Sequence, residues 1–192
     1  MSKVLVINAN PKNNSLCQAF ADRYAMSASD KHDVKQINIA DMSFELSLEQ
    51  GYDKTQPLEP DLRHFQESLV WSDHIVIVTP VWWGSMPAKL KGLFDRSFLP
   101  NFAFKYIQGK SQPEKLLKGR TSELIITLDT PPIWYRYVQG DVIRKQLNTT
   151  ILGFSGIKNK STTYFGPVLS ASDTKRKGWL DTIGQLPKRI RQ

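Results

Sequence analysis

Ile75-Val76-Ile77-Val78-Thr79-Pro80-Val81-Trp82-Trp83-Gly84-Ser85-Met86-Pro87 is an unbroken β-branched run that stops at a proline and enters an aromatic loop. Nothing in Ile75 to Thr79 is charged, and nothing alternates. Such a run reads as a strand buried on both faces, the kind found in parallel sheets. Met86 to Phe98 after it has helical spacing. Lys3 to Asn8 repeats the motif upstream, with Val4-Leu5-Val6-Ile7 as its apolar centre.

Working outward, strands and helices take turns. Asn10 to Asn14 break the chain after the first strand, and Ser15 caps a helix carrying Leu16, Phe20 and Tyr24 at four-residue spacing. Val34 to Ile39 reads as strand two. Pro60 to Trp71 reads as a helix with Leu62, Phe65, Leu69 and Val70 inward. Glu123 to Leu128 is strand four, Val142 to Phe154 a helix stopped near Gly156, and Ser161 to Phe165 strand five. A last helix starts at Ser172, with Trp179 and Ile183 four apart. This alternation predicts one α/β domain over 1–192: a flavodoxin-like three-layer sandwich, its five-stranded parallel sheet in the order 2-1-3-4-5 with helices on both faces. Ligands of such sheets bind beyond the carboxyl ends of the strands, where the strand order reverses.

The bulk numbers agree with a packed domain and exclude other classes. Of the 192 residues 40% are hydrophobic and 23% charged, which is not the composition of a disordered chain. No apolar run approaches the ~20 residues that span a bilayer, so no membrane insertion is expected. The N-terminal stretch reads as a first strand rather than a signal peptide. Cys17 is the single cysteine, so an internal disulfide and a cysteine zinc cluster are excluded, and a cytoplasmic location is expected. His32, His64 and His74 form no metal-binding pair and are assigned structural roles.

The net charge is +8, and it is uneven. Residues 158–192 carry 8 Lys/Arg against 2 Asp/Glu, and residues 105–120 carry 5 against 1. This is either a solvated basic surface or one that attracts anionic substrates such as a nicotinamide dinucleotide. No zinc-finger or RNA-recognition signature accompanies it, so nucleic acid is not an expected partner.

Three loops are candidates for chemistry. In the first, Asn10 to Cys17 leads from a strand end into a helix start, whose unpaired N–H groups can hold a phosphate. The loop has neither G-x-G-x-x-G nor a P-loop pattern. An ordinary capped turn explains it equally well. Cys17 is either a helix-terminal redox thiol or, more simply, a small packed side chain. In the second, Pro80 to Gly84 puts two tryptophans at a strand end, where a flat cofactor can stack and a glycine lets it approach the backbone. A hydrophobic corner or a dimer contact is the alternative for each tryptophan. In the third, Thr127-Leu128-Asp129-Thr130-Pro131-Pro132 leads to Trp134, Tyr135 and Tyr137. Asp129 either caps a tight turn or faces backbone donors or a cofactor hydroxyl. The aromatics either roof an acceptor site, with Tyr135 as proton donor, or pack an interface.

Pro80-Val81-Trp82-Trp83-Gly84-Ser85-Met86-Pro87-Ala88-Lys89-Leu90-Lys91-Gly92 resembles the flavin-contact segment of the NAD(P)H:quinone oxidoreductase family, which includes related azoreductases. Ser15-Leu16-Cys17 resembles that family's phosphate-contacting positions, and the likeness covers nearly the whole chain. The resemblance implies a bound FMN or FAD, with FMN chosen for the short chain, and NAD(P)H as electron donor. It also implies a homodimer with active sites at the interface, and ping-pong two-electron transfer to a quinone-like, azo or nitroaromatic acceptor. Its cofactor contacts would be Asn10, Ser15, Leu16, Cys17, Pro80, Val81, Trp82, Trp83, Gly84, Thr127, Leu128, Asp129 and Thr130. The strand-four loop departs from the glycine-rich turn common in that family. Two other readings remain at this level: a flavin-binding electron-transfer or regulatory subunit of a membrane transporter, and a binding module without flavin. The segment from Asn101 to Gly119 is an insertion that either closes over the cofactor or contacts a second copy.

Overall fold

The computed structural model describes residues 1–190. Five parallel strands form the sheet: β1 (Lys3–Asn8), β2 (Asp33–Asn38), β3 (His74–Pro80), β6 (Thr121–Thr127) and β7 (Lys158–Phe165). Their order is β2-β1-β3-β6-β7. The two intervening strands, β4 (Phe104–Lys105) and β5 (Glu114–Lys115), pair only with each other in a small antiparallel hairpin. Once they are set aside, the expected order 2-1-3-4-5 is the observed one.

Burial on both faces follows from strand pleating, which sends successive side chains to opposite sides. Leu5, Ile7, Ile75, Ile77, Leu124 and Ile126 enter one core, with Leu62, Phe65 and Leu69 of α2 (Pro60–Trp71) and Leu90, Leu93 and Phe94 of α3 (Ala88–Ser97). Val4, Val6, Val76, Val78 and Ile125 enter the other, with Phe20 and Tyr24 of α1 (Leu16–Ala28) and Ile183 of α7 (Asp173–Gln185). Val70, expected inward, is exposed. The inner stripe of α2 runs 62, 65, 69, and position 70 lies ~100° around the helix from it.

Two elements differ from expectation. Pro132–Tyr137 is a short helix, α4, begun by a proline at its first position, where the missing N–H costs nothing. The helix expected over Val142 to Phe154 is three pieces: α5 (Val142–Lys145), a π-helical segment (Gln146–Ile151) and α6 (Leu152–Ser155). Gly153 permits this widening, because a Cβ there would lie 1.9 Å from the Asn148 carbonyl oxygen. Gly156 ends the segment at φ +101° as its sequence position suggested.

The insertion at 101–119 is tied to the body. Ala103, Phe104 and Leu117 are buried, and the Leu117 N–H donates to the Ser155 carbonyl at 2.9 Å. Among the described residues no helix is long and apolar enough to cross a membrane.

Candidate functional site

The chain passes from β1 to β2 on one side, then returns to β3 on the other. The strand order therefore reverses between β1 and β3, and the loops after β1, β3 and β6 gather at that end of the sheet. The Ala9 N–H donates to the Val78 carbonyl (2.8 Å) and the Val81 N–H to the Thr127 carbonyl (2.8 Å), so the three loops leave the sheet side by side.

The β1 loop is shaped by asparagines. The Asn8 Oδ1 accepts from the Asn10 N–H (3.2 Å), and the Asn10 Oδ1 from the Lys12 N–H (3.0 Å). Such side-chain turns expose the backbone that follows. Ser15 caps α1, its Oγ accepting from the Gln18 N–H at 3.2 Å. That leaves the hydroxyl hydrogen free to donate. Among the described residues the Leu16 and Cys17 N–H groups have no protein acceptor. Asn8 Nδ2, buried at the root of this loop, is also unpartnered.

Cys17 itself faces inward. Its Sγ lies 3.1 Å from Thr127 Oγ1, fixing the first turn of α1 to the end of β6. Burial pushes the thiol up to about 11, against the lowering effect of its hydrogen bonds to Thr127 and Asn10. The thiol is therefore protonated at neutral pH, and the redox alternative for Cys17 gives way to the packing one. Its backbone N–H remains available at the helix terminus.

The β3 loop is a tight turn. Trp82 and Ser85 exchange main-chain hydrogen bonds at 2.8 and 3.0 Å, with Trp83 at φ +50° and Gly84 at φ +78° between them. Two consecutive positive φ values suit Asn-Gly or Gly-Gly, and a tryptophan there is conformationally costly. Trp83 is fully exposed at the tip. Among the described residues its N–H and that of Gly84 find no acceptor.

The β6 loop supplies the opposite wall. Leu128 is held by two main-chain bonds, its N–H to the Phe165 carbonyl (3.0 Å) and its carbonyl to the Val168 N–H (3.1 Å). Asp129 Oδ1 accepts from the Leu169 N–H at 2.9 Å, so this carboxylate does face a backbone donor. Between these walls lies an open cleft of about 680 Å³ lined by Val81, Trp83, Gly84, Leu128, Asp129 and Thr130 among others. A second of about 600 Å³ continues along Asp129 to Val138. Ile133, Trp134, Tyr137 and Val138 stand exposed beside it.

Tyr135 is not on that surface. Its side chain is 0% exposed, packed into the first core while Trp134 and Tyr137 point outward. The reading of Tyr135 as a proton donor at the acceptor face is thus corrected: in a helix, residue 135 turns ~100° from its neighbours and falls on the buried side.

Asp141 was missed. It is 2% exposed, at φ +55°, and its carboxylate accepts from the Tyr164 hydroxyl (2.6 Å) and from Arg144 Nε. Gly140-Asp141 is a turn-type dipeptide, the one signal that could have drawn attention to it.

Residues 2–185 match a protein family described as having the flavodoxin-like fold. The chain belongs to that family. Among curated relatives, an uncharacterized NAD(P)H oxidoreductase of Haemophilus influenzae is 28% identical over 94% of this chain and 92% of its own length. An FMN-dependent NADH:quinone oxidoreductase of Coprothermobacter proteolyticus is 29% identical over 69% of this chain and 72% of its own. Among solved structures, Smu.1420 of Streptococcus mutans superposes with a TM-score of 0.78 at 25% identity, covering 98% of this chain and 100% of that one. Flavodoxin-like chains place their ligand at the β1/β3 switch point, where the three loops converge here.

Proposed function

We propose that the chain is an FMN-dependent NAD(P)H oxidoreductase that reduces a quinone-like acceptor by ping-pong two-electron transfer. One observation carries the reading: at the switch point the Trp83 and Gly84 amides, unpaired among the described residues, border an open cleft with an exposed indole over it, and the Leu16 and Cys17 amides, also unpaired, stand in the neighbouring loop at the start of α1. The names of the relatives support it. The Coprothermobacter protein's supplies FMN and a quinone, and the Haemophilus protein's supplies NAD(P)H.

The residues fit the cofactor. The Ser15 hydroxyl, the Leu16 and Cys17 amides and the positive end of a 13-residue helix would hold a phosphate at the start of α1, with Asn10 shaping the loop. A planar ring system would be held on one side by Pro80, Val81, Trp82, Trp83 and Gly84. Thr127, Leu128, Asp129 and Thr130 stand on the other. FMN bound there would supply the two-electron redox chemistry, which no side chain of the site provides. The protein's own part is placement: Trp82 and Trp83 give apolar faces that exclude water, and the Trp83 and Gly84 N–H groups stabilise negative charge on whatever edge they face. A single open face serves donor and acceptor in turn, as ping-pong transfer requires.

We assign the same chain to a homodimer in the cytoplasm. The apolar surface formed by Ile133, Trp134, Tyr137 and Val138 beside the cleft supports a second copy there. Azo and nitroaromatic compounds fit the same flat cleft as alternative acceptors.

The test is steady-state turnover of purified protein with FMN, NADH or NADPH, and menadione, with no other protein added. Turnover that depends on FMN is the expected result. FMN uptake with turnover only after a separate reductase is supplied would overturn the enzyme reading in favour of an electron carrier or regulatory subunit.

A further inference from the structure

We propose that Tyr135 is a positioning residue for the cofactor-facing turn: its hydroxyl, held in place through Asp141, fixes where the Trp83 and Gly84 amides point. The consequence for cofactor binding rests on the flavin reading above; the consequence for the turn does not.

The hydroxyl sits between two main-chain groups. It lies 3.1 Å from the Ile143 N–H and 3.3 Å from the Gly84 carbonyl oxygen. A phenol carries one hydrogen, and an N–H can only donate. The directions are therefore fixed: Ile143 donates to the tyrosine, and the tyrosine donates to Gly84. Ile143 lies in the first turn of α5, where the helix leaves its own N–H groups unpaired. One hydroxyl thus satisfies an orphaned helix donor and tethers the turn. Burial raises the phenol's affinity for its proton, so the donor to Gly84 persists across the physiological range.

Tyr135 is itself anchored. Its carbonyl accepts from the Asp141 N–H at 3.1 Å. Asp141 holds Tyr164 of β7 through one carboxylate oxygen and Arg144 through the other. Asp141 thereby joins the sheet, α4 and α5 at one buried point, in a left-handed conformation that an aspartate adopts only at a cost. The turn it supports is costly too, with Trp83 at φ +50°. Strained backbone persists where the surroundings over-determine it. Two hydrogen bonds internal to the turn and one from Tyr135 are what hold Trp82–Ser85. Removing the third frees the turn to relax, and a preorganised pair of amides becomes a mobile one.

Tyr135→Phe in the full chain tests this in two ways. In apoprotein, hydrogen exchange at the paired Trp82 and Ser85 amides should accelerate about tenfold, the equivalent of one net hydrogen bond. In protein titrated with FMN, the Kd should rise about tenfold, and the bound flavin's visible band should shift toward that of free flavin. A purely structural role would lower thermal stability and leave the Kd and band of the folded variant unchanged; that result, or unchanged exchange, overturns the proposal. Should Tyr135→Phe fail to fold, Asp141→Asn keeps the hydroxyl and loosens its anchor. It should move exchange and Kd the same way by about threefold, and no movement overturns the proposal. Wild-type protein that takes up no FMN would overturn the flavin reading alone, with the exchange result still deciding the role of Tyr135.

Discussion

The thiol of Cys17 gives a prediction whose size follows from its surroundings. Two effects compete there. The N-terminus of α1 favours a thiolate, and burial opposes it. Burial wins, taking the group from 9.0 to about 11. A folded-state value above the unfolded one means stability that is complete below about pH 9 and lost as pH rises toward 11. At pH 10 the unfolded thiol is roughly ten-to-one ionised while the folded one still holds its proton, a loss of about 1.4 kcal/mol. Beyond the folded value the loss approaches about 3 kcal/mol. Urea unfolding of wild type and Cys17→Ala at pH 8, 9 and 10 isolates the term. Any cavity left by the alanine costs the same at each pH, and Tyr24, whose buried hydroxyl also resists ionisation, is present in both proteins. The stability difference between the two should therefore shrink by about 1.4 kcal/mol between pH 8 and pH 10. Native protein at pH 8 should also resist a thiol reagent until it opens. Parallel stability curves, or labelling within seconds, would refute the burial argument and restore a reactive thiol at the start of α1.

Further outcomes follow from other contacts. His74 is held near 4 by burial, so its stability contribution is present above about pH 6.5 and falls as pH drops toward 4. Relative to His74→Asn, wild type should lose about 2 kcal/mol between pH 8 and pH 5, read by urea unfolding. Gly153→Ala places a methyl 1.9 Å from the Asn148 oxygen. It should cost about 1–3 kcal/mol and lower the Tm by about 5 °C in a thermal melt. Trp83→Asn puts a residue tolerant of positive φ at the tip of the turn, so its Tm should match or exceed wild type. The same variant should raise the Kd for FMN or the KM for menadione at least tenfold, since the exposed indole is gone.

The sheet was legible because burial on both faces leaves its mark in the chain itself. Ile75 to Thr79 and Val4 to Ile7 admit no amphipathic reading, and the alternation of strands with helices marks a parallel sheet, for which five strands suit the order 2-1-3-4-5. The start of α1 was legible through Ser15, which does cap it, and the exposed Trp82-Trp83-Gly84 turn through aromatics standing where a core would not put them. Side-chain direction was less so. Val70 and Tyr135 were both expected on the wrong side because their helices' phase depends on which neighbouring positions win the core. The π-helical segment was hidden for another reason: it depends on the carbonyl of Asn148 meeting a glycine five residues on. Asp141 carries no mark of its burial in the sequence, since an acid beside a glycine usually stands in a solvated turn. Its burial comes from Tyr164 and Arg144, and only the fold brings Tyr164 to it.

On the proposed function, the open cleft at the switch point takes FMN and exposes it to a reduced nicotinamide. The most direct measurement is the visible spectrum of the FMN-loaded chain on anaerobic addition of NADPH or NADH, followed by menadione. The flavin band should be lost within seconds and return in full with the quinone. A flavin band that persists under excess NADPH and NADH, or a folded chain that takes up no FMN, would contradict it.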